Sequence, residues 1–224
     1  MATPFLKLIQ TGATADVASA VHDDPALAAW RDPQGVSALL WSVYCGQPLI
    51  RDFLLAVLKA QFLSLDIFEA AAVPDMAQLT ALLHAAPARA AAFSGDGWTA
   101  LHLAAAFGSP QAVSALLDAA ASVDALSRNP QQNQPLHAAL ALGRNIETIH
   151  LLLQHGANPN ATQAGGFTPL FSAATANRQY LAELLLAHGA NPNQKSDAGK
   201  TAADFARERG HADLAAWLES QPSA

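Results

Sequence analysis

Eight histidines, one cysteine and a glycine-rich turn are the residues of this 224-residue chain that could do chemistry. Paired with acids or thiols at the right spacing, the histidines could hold a metal or act as general bases. No His-Glu-x-x-His is present, and His22, His84 and His150 have no metal-ligand spacing with Cys45 or any carboxylate. No Gly-x-Ser-x-Gly elbow occurs, nor a Gly-rich phosphate loop ahead of Lys-Ser/Thr. Gly95-Asp96-Gly97 could pass for a phosphate or metal loop in isolation. Cys45 would be a nucleophile only beside a base, and the sequence places none next to it. These residues point away from catalysis, and no cofactor or metal is expected.

Composition narrows the class further. Hydrophobic residues make up 51% and charged residues 13%, which excludes a disordered, highly charged chain. The longest apolar run, Phe53–Leu58, ends at Lys59, well short of a membrane span. No basic region precedes the short apolar start, so export is not expected. One cysteine excludes an internal disulfide and fits a reducing, cytoplasmic setting. A net charge of -6 argues against nucleic acid as partner.

Self-similarity organises the rest. His155-Gly156-Ala157-Asn158-Pro159-Asn160 returns 33 residues later as His188-Gly189-Ala190-Asn191-Pro192-Asn193, each after a Leu-Leu-Leu run at 151–153 or 184–186. Gln134-Pro135-Leu136-His137-Ala138-Ala139 returns as Thr168-Pro169-Leu170-Phe171-Ser172-Ala173, and Trp98-Thr99-Ala100-Leu101-His102 is the same unit again. The anchors Phe5, Leu39, Ile67, Leu101, Leu136, Leu170 and Ala203 are spaced 34, 28, 34, 35, 34 and 33 residues apart. Seven units follow, at about 3–31, 32–63, 64–93, 94–126, 127–161, 162–194 and 195–220 within a single domain.

Each unit reads as two helices and a hairpin. Thr99, Thr168 and Thr201 sit where a hydroxyl caps a first helix, and Pro135 and Pro169 occupy its first position. Gly108, Gly143 and Gly210 are placed to end that helix in the left-handed region. Val113-x-x-Leu116-Leu117, Ile149-x-x-Leu152-Leu153 and Leu181-x-x-Leu184-Leu185 form the apolar stripe of the second helix. Two departures stand out: the short second unit after Lys59, and Gln132-Asn133-Gln134, where glutamine replaces the capping threonine. Lys7, Asp16, Asp23 and Asp24 at one end, and Arg207, Glu208, Arg209, Asp213 and Glu219 at the other, supply polar outer faces for capping units.

These motifs resemble the ankyrin repeat family, strongly from Gly95 to Trp217 and positionally before Asp32. The alanine-rich, lysine-poor helices are similar to those of bacterial repeat proteins. The resemblance implies an all-α solenoid of about seven stacked helix-turn-helix units that binds a protein or peptide along a concave groove. It places His102 and His137 where the family bonds neighbouring loop backbone, and His155, His188 and His211 in structural positions. It also transfers partner contact to the hairpin tips and to the residues before each helix-ending glycine. Tyr44, Trp98, Phe107, Leu142 and Phe167 then form an apolar strip, with Lys200 and Arg209 at one end. The expected function is a non-catalytic, monomeric, soluble adaptor; the alternative is a dedicated regulatory or stabilising subunit of one enzyme, distinguished by stoichiometric co-purification with it.

Overall fold

A computed structural model describes residues 3–73, 75–142 and 145–222. Fourteen α-helices stand in seven antiparallel pairs among the described residues. They are α1 (Pro4–Thr11) with α2 (Thr14–Asp23), α3 (Ala38–Tyr44) with α4 (Pro48–Ala60), and α5 (Ile67–Ala72) with α6 (Met76–Ala85). Then come α7 (Ala100–Phe107) with α8 (Pro110–Asp118), and α9 (Pro135–Ala141) with α10 (Ile146–Gln154). The last pairs are α11 (Pro169–Thr175) with α12 (Gln179–Ala187) and α13 (Ala202–Glu208) with α14 (Ala212–Glu219). The first helix of each pair packs on the first helix of the next, from α1 through α13. No helix is buried on its own; one apolar core runs from Phe5 to Leu218, and each pair closes its neighbour.

Short hairpins join most pairs. Arg31 pairs with Ser37, Phe93 with Thr99 and Gln163 with Phe167. Successive tips are laced by backbone bonds: Arg128 N–H to the Gly97 carbonyl (2.8 Å), Ala164 to Gln131 (2.9 Å) and Asp197 to Gly165 (3.0 Å). The repeated Asn-Pro-Asn has the same stitching role, since Asn160 donates to the Gly189 carbonyl (2.8 Å) and accepts from the Asn191 N–H (2.7 Å). All of the expected polar end residues are exposed.

The capping expectations hold at Thr99 and Thr201, whose hydroxyls accept from the third helical N–H. Thr168 occupies the cap position without a side-chain cap bond. Gly210 has φ +83°, as a left-handed stop requires. Gly108 does not: its φ of -82° is open to any residue. Glycine is needed there for space, because a Cβ would lie 2.3 Å from the Ala71 carbonyl oxygen in the preceding pair. Gly143 lies outside the described residues.

The short second unit has a physical account. Helix α4 is long, at 13 residues, and ends in a turn at Phe62, whose φ is +56°. The chain then enters α5 directly through Asp66, which caps the helix and in return donates its own N–H to the Glu69 carboxylate (2.8 Å). Arg31, in the previous hairpin, holds both carboxylates at 3.0 Å.

Candidate functional site

In α3, α5, α7 and α9 the residue after the anchor faces the neighbouring pair, and what occupies it decides the chemistry of that joint. In α7 and α9 it is histidine. Nε2–H of His102 donates to the Asn133 carbonyl (3.0 Å), and its Nδ1 accepts from the Thr99 hydroxyl (2.8 Å). His137 repeats this, with Nε2–H shared between the Ala161 and Phe167 carbonyls (3.1 and 3.2 Å) and Nδ1 accepting from the Gln134 N–H (3.3 Å). Burial pushes the His102 imidazole down to about 4 and lowers that of His137 too, so both are neutral struts. His155 bonds the Leu151 carbonyl of its own helix (2.8 Å), and His211 the Thr175 carbonyl (3.3 Å). His188 instead meets the His150 ring edge-on. Among the described residues, no three His, Cys, Asp or Glu side chains are grouped to hold a metal ion. The Cys45 thiol ends α3, and burial raises its pKa, the opposite of what an activated nucleophile needs.

In α3 and α5 the same position holds Leu40 and Phe68, and no polar strut forms. A second apolar cluster develops instead: buried Val36, Leu40, Ala72 and Leu103, with Trp41, Tyr44, Phe68, Trp98 and Phe107 half-buried around it. Tyr44 lies 5.5 Å from Phe107 and 5.9 Å from Trp41 between ring centroids, and Trp98 stacks on Phe107 at 6.3 Å. Trp41 and Phe68 are the site residues that the motif positions alone miss. The departure from histidine at 40 and 68 is the signal that marks this cluster.

The expected strip therefore divides. Tyr44 and Phe107 line a cleft of about 880 Å³ together with Leu142, which is 49% exposed. Trp98 borders a second hollow of about 620 Å³ between the hairpin tips, lined also by Gly95, Asp96, Arg128 and Gln131. Phe167 belongs to a separate triad, 5.6 Å from Phe171 and 5.4 Å from Phe205. Lys200 is tied to Glu208 and sits over the Phe205 ring at 5.7 Å, while Arg209 is exposed. Of the other tip positions, Val36 and Asn133 are buried.

Electrostatics distinguish the first group. Asp32 accepts from the Trp41 indole (3.0 Å), and Asp96 from the Ser94 hydroxyl (2.5 Å). The Tyr44 hydroxyl is buried, and the Asp96 carboxylate is the acceptor it addresses. Burial, then the charge of Asp96 and its hydrogen bonding to the hydroxyl, then the charges of Asp66 and Asp32, hold its pKa far above the ordinary tyrosine value.

Two family models cover overlapping stretches: "Ankyrin repeats (3 copies)" matches residues 67–163 and "Ankyrin repeats (many copies)" matches residues 152–206. The chain is 48% identical over 94 residues to a probable E3 ubiquitin-protein ligase, XBOS31, of Oryza sativa subsp. japonica, covering 42% of this chain and 20% of that protein. It is 38% identical over 141 residues to the B-cell lymphoma 3 protein homolog of Mus musculus, covering 62% of this chain and 31% of that protein. A third relative is the transient receptor potential cation channel subfamily A member 1 homolog of Caenorhabditis elegans, 34% identical over 125 residues, covering 55% of this chain and 10% of that protein. The chain spans less than a third of the length of each of these curated relatives. No helix among the described residues is long and apolar enough to cross a membrane.

Proposed function

From the premise that the chain belongs to the ankyrin repeat family, whose repeats are protein–protein interaction modules, we propose that it holds a protein or peptide partner along the groove between its hairpin tips and first helices. One observation carries this reading: the half-buried rings of Tyr44 and Phe107 open on the cleft that also exposes Leu142, while Trp98, stacked on Phe107, borders the hollow between the hairpin tips. Rigid aromatic side chains at a groove are the usual anchors of binding hot spots. The mechanism is presentation on a stiff scaffold, which keeps the ordering cost of association low. In this reading the chain acts without catalysis, as a monomer in the cytoplasm, and neither nucleic acid nor membrane is its partner.

Affinity capture from native lysate, with the intact chain beside a Trp98→Ala/Phe107→Ala variant of equal helical content, tests the reading. A protein retained only by the intact chain supports the groove. Equal retention by both sinks it and moves attention to loop 127–134.

A further inference from the structure

The occupant of this groove leaves a trace in the charge around its rings. Three carboxylates from successive units act on one hydroxyl, that of Tyr44: Asp32 and Asp96 from hairpins and Asp66 from the cap of α5. Two cations stand near them: Arg31, already engaged by Asp66 and Glu69, and Arg128, which lines the hollow with Asp96 and lies over the Phe93 ring. Asp32 and Asp96 receive only neutral donors, and among the described residues no cation pairs with either. Arg51, on another wall of the cleft, is paired with Asp52. The hairpin end of the groove is thus aromatic and anionic, with Asp32 and Asp96 held in no ion pair among the described residues and the buried Tyr44 hydroxyl beside Asp96.

Resting on the groove reading above, we propose that the rings of Trp41, Tyr44, Trp98 and Phe107, with Asp32 and Asp96 beside them, seat a lysine- or arginine-bearing segment of the partner. Both attractions favour a cation: ring faces carry negative charge density, and the carboxylates add full charges at the rim. The chain already makes this contact within itself, since the Arg128 guanidinium lies 3.8 Å from the centroid of Phe93 and the Lys200 ammonium 5.7 Å from that of Phe205. An acidic segment would meet repulsion from three units at once. A purely apolar one would leave the Asp32 and Asp96 charges at the rim without a counter-ion.

The test uses the full chain and short fluorescein-labelled peptides in which glycine and serine alternate with arginine, glutamine or glutamate, read by fluorescence anisotropy at low and physiological salt. The arginine peptide should bind about tenfold more tightly than the glutamine peptide, and the glutamate peptide should not bind. Asp96→Asn, which keeps an oxygen for the Ser94 hydroxyl, should remove most of that preference, while Asp213→Asn on the far terminal helix should not. The inference is overturned if the arginine and glutamine peptides bind alike, or if none binds. It is also overturned if arginine binding is indifferent to Asp96→Asn and Trp98→Ala, for then it is diffuse surface attraction. A partner captured through Trp98 and Phe107 that ignores the arginine peptide would leave the groove reading standing and remove only the basic segment.

Discussion

The imidazole of His102 and the carbonyl of Asn133 are 31 residues apart in the chain and 3.0 Å apart in space. The bond joins the start of α7 to the hairpin that follows it, and His137 makes the equivalent bonds one unit later. Both rings are buried, so the joints depend on the protonation state of histidine.

Stability should therefore fall as the pH is lowered. The folded chain holds His102 neutral down to about 4, whereas the unfolded chain takes up the proton near the ordinary histidine value of ~6.5. Protonation thus favours the unfolded chain, and the loss accrues as pH falls from about 6.5 towards about 4, on the order of 2–3 kcal/mol for this one group. Thermal melts across that window should show the decline, and His102→Gln should flatten it. An equally steep profile in the variant would assign the effect to other groups.

Gly108→Ala should destabilise the fold by about 1–3 kcal/mol, through crowding. The added methyl would meet the Ala71 carbonyl oxygen at 2.3 Å and Ala104 backbone at 2.9 Å, neither of which can swing aside. Urea denaturation measures this. A neutral result would mean that α5 and α7 can separate freely.

Gln132→Gly should stabilise the chain by about 0.5–1 kcal/mol. Gln132 sits at φ +47°, where the other hairpins place Gly35, Gly97, Gly166 and Gly199, and it is exposed. The midpoint of urea unfolding should rise, and a fall would reveal a role for the glutamine side chain.

Gln134→Thr should raise the melting temperature, in line with a gain of about 1 kcal/mol for a restored cap. The Gln134 Oε1 is buried without a partner, while its amide donates to the Asp124 carbonyl at 3.2 Å. A lower melting temperature would mean that this second bond outweighs the cap.

The fold was legible because each unit repeats residues with strict local duties. Thr99 and Thr201 cap, Pro135 and Pro169 open helices, and Leu116, Leu152 and Leu185 fill the core. Duties that depend on a neighbour were harder to read. Gly108 looks like any helix stop until Ala71 is seen behind it. Tyr44, Phe107 and Trp98 stood out by position, but their grouping with Trp41 and Phe68, and the separation of Phe167, arise from pairs meeting across the stack. The second unit misleads for the same reason, since its shortness reflects a lengthened α4 and the direct entry at Asp66.

The histidine joints also give the array a direction in time. His102 and His137 each take their carbonyl from a hairpin that lies later in the chain. On the ribosome, where the chain emerges from its N-terminus and folds as units become available, such a ring is made well before its acceptor. Its unit is finished only when the following hairpin has been synthesised, so consolidation of the central repeats trails translation by one unit.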